Sequence, residues 1–441
     1  MPADPPAPVA GNPDARPGRD ATPPGHAAAP PGHGAAPPGH GAAPPGHAAA
    51  APGHGATPPG HGAAPPGHAA APPGHSAAAP GHDVATPGHA AAMPGHAAAP
   101  PAEPLARIAA AIDARGAFFA PPHDRAFRLF SGFSEGYPPL TLDVYGRTLV
   151  VHDHAAGPDG DEPLARAAVG LARERLPWLR AALWKARKAA APEARRGRWL
   201  LGAEADAERR VREHGVRYAL ALAAFRDASL YLDTRGLRAW ARATLAGARV
   251  LNAFAHTGSL GVAARAAPAA LVVHLDKSRP ALTLAKDSYA LNGFPVRRPD
   301  FRAADFFVEA ARLRRENALF DCVFLDPPFF SSTAAGRVDL ERDFNALVDK
   351  VRPLVGDGGR LVAVNNALYV SGADFERSIA ALAADGYLEL EGRIAVPDDV
   401  VGLAPSGPPS APADPSPYNH STKIAVLRVK RRDGRKASTG G

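Results

Sequence analysis

The chain has 441 residues, a formal net charge of +7 and a single cysteine, Cys322. One cysteine excludes an intrachain disulfide and a cysteine-built metal centre, and it suits a reducing cytoplasm. No apolar run reaches membrane-spanning length and the sequence opens without a secretory pattern, so a cytoplasmic protein without membrane contact is expected.

Residues 1–103 read as a disordered tail. From His26 to His96 a histidine returns every seven residues inside a Pro-Gly-His unit. The period is that of a heptad, but no core of Leu, Ile or Val accompanies it, which excludes a coiled coil. A proline in every repeat forbids a continuous helix, and little beyond alanine is available to bury. Such a tract can hold Zn, Ni or Cu ions weakly; no other metal site is expected. Residues 1–103 carry two Arg against five acids, so the other 338 residues hold a net charge of +10. That excess favours a polyanionic partner such as RNA.

Residues 104–230 read as a small α+β domain. Strand-like segments run over 125–130, and 140–145 with 148–151 form a hairpin around Gly146-Arg147. A helix is predicted over 162–175 from Leu164, Ala167, Ala168 and Leu171. A cluster of Arg and Lys follows between Lys185 and Arg198, then a strand over 216–223.

Beyond Ala248 strands and helices alternate regularly. Strands are predicted over 249–254, 270–276, 296–302, 320–326, 359–364, 387–396 and 423–430, and helices over 258–267, 279–291, 304–315, 339–355 and 372–385. Five strand–helix repeats followed by two strands with no helix between them predict an α/β, doubly wound, seven-stranded sheet with an antiparallel last strand. The Pro-rich stretch 397–417 becomes the loop of the closing hairpin, the domain spans 231–432, and 433–441 is a second disordered tail.

In an open α/β sheet ligands bind outside the carboxyl ends of the strands, so those ends are where chemistry is expected. The first strand leads into Phe254-Ala255-His256-Thr257-Gly258. Gly258 either lets the backbone approach a ligand at a helix N-terminus or makes an ordinary turn. The second ends in Asp276, placed to accept from ribose hydroxyls or to cap the next helix. Asp305, after the third, offers an acceptor to an adenine amino group or caps its own helix, with Phe306 beside it. The fourth delivers Asp326-Pro327-Pro328-Phe329-Phe330. Two prolines remove two donors and force an extended bend with free carbonyls. An acid, exposed carbonyls and an aromatic face suit a flat, nitrogen-bearing group, or form a plain strand-to-loop turn.

Taken together, Asn252-x-Phe254-x-x-Thr257-Gly258, the Asp276 strand end, Leu291-Asn292-Gly293 and Asp326-Pro327-Pro328 resemble the S-adenosylmethionine-dependent large-subunit ribosomal RNA methyltransferases, of the class I methyltransferase superfamily, whose members methylate cytosine C5 or guanine N7. Ser229-Leu230-Tyr231-Leu232-Asp233-Thr234-Arg235 is similar to a family signature beside the cofactor, and 127–151 to the family's small domain. The resemblance covers roughly 125–432. It implies S-adenosylmethionine as cofactor and ribosomal RNA as partner. It implies that Phe254, Thr257 and Gly258 cradle the methionine part, Asp276 the ribose and Asp305 the adenine, and that Asp326 borders the sulfonium and the target base. Tyr231 lies beside the cofactor, and Asp233 and Arg235 close the pocket. His256 stands where the family usually has Tyr, the family's PUA-type RNA-binding domain is not recognisable, and Tyr418-Asn419-His420-Ser421-Thr422-Lys423 has no assigned role.

Cytosine C5 methylation needs a thiolate. Cys322 sits mid-strand, where burial makes a thiol inert. After the fifth strand, where the cytosine-modifying relatives carry a cysteine, this chain has Asn365-Asn366. This Asn-Asn and Asp326–Ser331 resemble the guanine-N7 relatives. A base nitrogen, guanine first, is therefore the expected acceptor, with Asp326, Pro327, Phe329 and Asn366 at the reacting centre. Phe329 or Phe330 stacks on a flipped base or packs its loop, and Asn365 and Asn366 bond the base edge or close a turn. The alternatives are cytosine C5, a small-molecule or protein acceptor on the same fold, and a non-catalytic RNA- or metal-binding protein. Basic surface near 185–198 and at Lys430-Arg431-Arg432 favours RNA. The oligomeric state is not legible.

Overall fold

The computed structural model describes residues 102–157, 160–404 and 412–437; the histidine repeats, 405–411 and 438–441 lie outside the described residues. In chain order the strands are β1 Ala126–Ser131, β2 Leu140–Tyr145, β3 Thr148–Asp153, β4 Ala181–Ala186, β5 Arg198–Leu201, β6 Arg210–Glu213, β7 Val216–Ala219, β8 Arg249–Ala253, β9 Leu271–Asp276, β10 Phe301–Ala303, β11 Phe320–Leu325, β12 Phe330–Thr333, β13 Gly336–Asp339, β14 Val355–Asn365, β15 Leu388–Arg393 and β16 Lys423–Val429. The α-helices are α1 Ala102–Asp113, α2 Glu162–Arg175, α3 Pro192–Arg196, α4 Arg235–Thr244, α5 Ser259–Ala266, α6 Arg279–Leu291, α7 Phe306–Arg315, α8 Phe344–Val351, α9 Gly372–Ala383 and α10 Asp398–Val401.

Strands β1 to β5 form one sheet in sequence order, antiparallel except where α2 crosses between β3 and β4. α2 starts where Asp161 accepts from the Leu164 N–H at 3.0 Å, with Pro163 in its first turn, and it ends in Arg173 and Arg175. Capping acid, early proline and late cations each match the free groups and dipole of a helix. Leu164, Ala168 and Ala172 bury one face of α2 against Leu142, Leu149 and Val151. α1 begins inside the stretch read as tail, and packs Ile108 and Ile112 into the same core.

The second sheet runs β10-β9-β8-β11-β14-β16-β15. Six strands run in one direction, and β16 lies antiparallel between β14 and β15. The chain turns to one side after β8 and to the other after β11, so the loops at those two carboxyl ends open a crevice. Strands β8, β11 and β14 are buried on both faces, by Leu251, Val323 and Leu361 on one side and Val250, Phe324 and Val362 on the other. Near-continuous apolar runs are what doubly covered parallel strands require.

Several boundaries differ from the sequence expectation. The helix expected over 339–355 is α8, eight residues, and the hairpin β12–β13 precedes it. The strand expected over 296–302 shrinks to β10 because Pro299 has no N–H to give a ladder and a 3₁₀ turn fills 298–300. The loop 397–417 contains α10, whose Asp399 accepts from the Arg128 N–H at 2.9 Å. The part of the final tail that is described, 433–437, is tied down: the Arg435 carbonyl accepts from Asp357 N–H at 2.7 Å. No helix among the described residues is long and apolar enough to cross a membrane.

Candidate active site

The crevice holds a cavity of about 870 Å³, lined from both sides of the switch point. On the β8–β10 side the backbone is tightly wound. Phe254 and His256 take φ of 56° and 48°, and Gly258 takes 78° before α5 begins. A Cβ on Gly258 would come within 2.6 Å of the Ala285 Cβ and 3.0 Å of His274 Nδ1. Glycine is thus demanded by the left-handed conformation and by packing on α6. Gly258 does not line the cavity, and neither does Thr257, whose hydroxyl donates to the Ser229 carbonyl at 2.5 Å. That bond ties the loop to the segment carrying Tyr231.

Asp276 lines the cavity at the end of β9. One of its oxygens accepts from the His256 N–H at 2.8 Å and the other from Ser278 N–H at 2.7 Å. These bonds fix the carboxylate and leave each oxygen a free lone pair. Ser278, not Asp276, caps α6. Asp305 does cap α7, through a single oxygen that takes the Phe307 and Val308 N–H groups, so its second oxygen is not used by the cap. Phe254 and Phe306 pack with centroids 4.4 Å apart and planes tilted by 30°, and give this half an apolar wall. Asn252, also in the lining, keeps a buried Oδ1 with no partner.

The β11–β14 side supplies Asp326, Pro327, Phe329 and Asn366. Burial and the nearby Asp233 carboxylate push the Asp326 carboxyl up to about 7, against the pull of Arg238. Asn366 reaches the Pro327 carbonyl with its amide nitrogen at 3.5 Å and holds a buried Oδ1 without a partner. Asn365 faces away from this work. Its Oδ1 accepts from Ala367 N–H at 2.9 Å and its amide donates to the Leu340 carbonyl, so it closes the turn. Phe329 is half exposed at the mouth.

Asp233 and Tyr231 also line the cavity, but Arg235 does not. Its guanidinium spans both Asp399 oxygens at 2.8 and 2.9 Å and reaches the Ala126 carbonyl, and it borders a second cavity of about 510 Å³ with Glu213 and His214. As first residue of α4 it points back toward the small sheet. The neighbouring cation Arg238 is the one beneath the site: fully buried, it spans Glu213 at 2.7 and 2.8 Å and donates to the Tyr231 carbonyl and Thr234 hydroxyl.

The unassigned run 418–423 forms a strut between the two halves. Thr422 Oγ donates to Asp233 at 2.7 Å, and the buried Lys423 ammonium donates to the Ala367 carbonyl at 3.0 Å, just past Asn366. Asn419 brackets Val396 with two bonds.

Cys322 is fully buried in the middle of β11, and burial drives its thiol far above the usual range. The basic cluster is corrected at its first member. Lys185 is fully buried on β4, donates to the Phe225 and Asp227 carbonyls at 2.6 and 3.2 Å, and is pushed down to about 7 by burial and Arg187. It pins a loop from beneath. Lys430 and Arg431 are likewise engaged, by Glu389 and Asp433.

The family model for S-adenosylmethionine-dependent methyltransferases matches residues 186–407. The ribosomal RNA large subunit methyltransferase I of Photobacterium profundum is 27% identical over 285 residues, 65% of this chain and 72% of that one. The large subunit methyltransferase K/L of Marinobacter nauticus is 35% identical over 158 residues, 35% of this chain but only 22% of that one. A solved methyltransferase complexed with SAH shares the fold with a TM-score of 0.63 at 19% identity, covering 74% of this chain and 82% of that one. A Streptococcus mutans methyltransferase structure gives 0.62. The match spans half the chain and both sides of the crevice: the chain belongs to the S-adenosylmethionine-dependent methyltransferases, and it is an enzyme with S-adenosylmethionine as cofactor.

Proposed function

We propose that the enzyme methylates a nitrogen of guanine in large-subunit ribosomal RNA. The relatives' names supply the RNA, and the site supplies the nitrogen. The observation that carries the choice is the pairing of an inert thiol with unused acceptors. Cytosine C5 becomes nucleophilic only after a thiolate adds to C6, and the sole thiol is buried in β11, on a strand covered by both cores. Guanine needs no such adduct, since N7 carries a lone pair. Its N1–H and amino group are donors, and Asp326, the Pro327 carbonyl and the orphaned Asn366 Oδ1 are acceptors at one place. Phe329 offers a face for the base.

The donor set also fits the cofactor. Asp276 would hold the ribose hydroxyls through its free lone pairs, Asp305 the adenine amino group through its second oxygen, with Phe254 and Phe306 alongside. Asp233 and Asp326 supply negative charge for a cation. The cofactor brings an electrophilic methyl group on a sulfonium. The chain's own part is to orient the base in line, exclude water with the β12–β13 hairpin, and hold the acceptor's protons.

Nucleoside mass spectrometry of ribosomal RNA from cells with and without the protein tests this. Loss of one methylguanosine is expected. Loss of 5-methylcytidine, or a methyl transfer abolished by Cys322→Ser with Asn366→Ala silent, overturns it.

A further inference from the structure

The mouth of the cavity has two chemically distinct walls. Among the described residues eight large apolar side chains are exposed, and four of them, Tyr231, Phe329, Leu368 and Tyr369, line this one cavity. Tyr369 is the most exposed of all, at 71%. Phe329 follows β11 and Leu368-Tyr369 follow β14, the adjacent strand, so the sheet itself brings these side chains to one edge. Exposed apolar side chains gathered at one place mark an interaction surface.

The other wall is cationic. Arg187 and Lys188 leave β4, and Arg226 comes from the loop that Lys185 pins. Arg187 is bound to Asp227 and to the Arg226 carbonyl, which fixes the two loops to each other. Arg226 bonds the Arg187 carbonyl with one nitrogen at 3.3 Å, and Lys188 and Arg226 are both exposed.

We propose that this mouth is a platform for unpaired RNA, in which Tyr369 stacks on a base neighbouring the target while Lys188 and Arg226 pair with its phosphates. The proposal rests on the RNA reading above and narrows it to a structural class of substrate. A duplex keeps its base faces stacked inside and offers a protein phosphates, 2′-hydroxyls and base edges but no base face. It would use the cationic wall and leave the aromatic one wet. A single strand uses both, because every base has a face for an aromatic ring and every nucleotide a charge. The cations argue against a purely apolar protein partner, and the planar groups argue for bases.

The test is fluorescence anisotropy with full-length protein and S-adenosylhomocysteine, using an unstructured 12-nucleotide RNA of arbitrary sequence and the same RNA annealed to its complement. The single strand is expected to bind at least about tenfold more tightly. Tyr369→Ala should weaken single-strand binding roughly 5- to 150-fold and leave duplex binding unchanged, while Tyr369→Phe restores it. Lys188→Ala and Arg226→Ala should weaken both forms and flatten the salt dependence of single-strand binding by about 0.7 each. Duplex binding as tight as single-strand binding, or a silent Tyr369→Ala, overturns the proposal. So does binding of neither form by protein that still binds cofactor, which would assign the mouth to a protein surface. Because the probe carries no particular target base, a single-strand preference without methylguanosine in the ribosomal RNA would refute the guanine reading alone.

Discussion

Asp326 provides the most quantitative handle on the site. Its carboxyl sits at about 7 instead of 3.8 because it is buried and faces Asp233. If it borders the cofactor's sulfonium, cation binding must pull that value back toward the ordinary range. With a value of about 7 in the free protein and roughly 4 in the complex, S-adenosylmethionine should bind about 30-fold more tightly at pH 8.5 than at pH 5.5, roughly 2 kcal/mol. S-adenosylhomocysteine has no sulfonium charge and should not follow. Other groups near the cavity must be separated from this. His154, held down at about 4, is neutral across the window, and burial lowers His256 as well. Lys185 sheds its proton near pH 7 beneath the 225–227 loop and would also favour a cation as pH rises. The Asp326→Asn variant decides between them. Isothermal titration calorimetry with both ligands from pH 5.5 to 8.5 should show the full slope for S-adenosylmethionine in the native enzyme and only the small remainder owed to Lys185 in Asp326→Asn. Equal slopes for the two ligands, or a slope undiminished by the substitution, would refute the placement of Asp326.

Three further outcomes follow from the same geometry. Cys322→Ala should keep kcat within roughly twofold in a methyl-transfer assay, since its thiol is far above any useful range and does not line the active-site cavity; a loss of a hundredfold or more would return cytosine C5 to consideration. Arg238→Met leaves Glu213 only the Arg235 guanidinium at 3.8 Å and removes donors from Tyr231 and Thr234, so urea unfolding should show a loss of about 3 kcal/mol, part of it recovered when Glu213→Leu is added. Lys423→Met removes the bond to the Ala367 carbonyl and frees the Asn366 turn, so kcat should fall about 10- to 100-fold with S-adenosylmethionine affinity nearly unchanged; parallel loss of both would mean that Lys423 serves the whole fold and not the acceptor side.

Much of the second sheet was legible because each element carried its own signals. α6 was placed from 279 to 291 as observed, with Ser278 and Pro280 at its start and Asn292-Gly293 at its end. The acids at 276, 305 and 326 were legible because the carboxyl end of a parallel strand is where the fold opens. The failures have a different origin. Leu340, Phe344, Leu347 and Val351 are all buried at spacings of four, three and four, which mimics one helix from 339. Only Phe344 onward is helical; Leu340 reaches the same core from the exit of a hairpin. α1 carried Leu105, Ile108 and Ile112 on one face and was obscured by the alanine and proline around it. Lys185 departs from the surface expected of it because charge in a sequence says nothing about burial. Its strand is buried at all six positions, and three backbone carbonyls of a distant loop, contributed from forty residues away, satisfy the ammonium.

The same distinction explains why Arg235 and the 418–423 run exchanged importance. A motif names neighbours in sequence, but α4 sends Arg235 toward Asp399 of the loop between β15 and β16, while the end of that loop returns Thr422 to Asp233. One connection therefore touches three places: the small sheet through Asp399 and Arg128, the α4 entrance through Asp233, and the acceptor turn through Lys423 and Ala367. Each contact is a charged or hydroxyl side chain meeting a partly or fully buried partner, and such bonds are costly to leave unmade. Moving the acceptor turn without moving Asp233 would break one of them. Asp233 is thereby held on a single frame with the turn that carries Asn366, although the two arise from separate units of the chain. A site that must align a base with a methyl group to within a fraction of an ångström gains from that coupling, since a small misplacement of either part costs rate even when both are present.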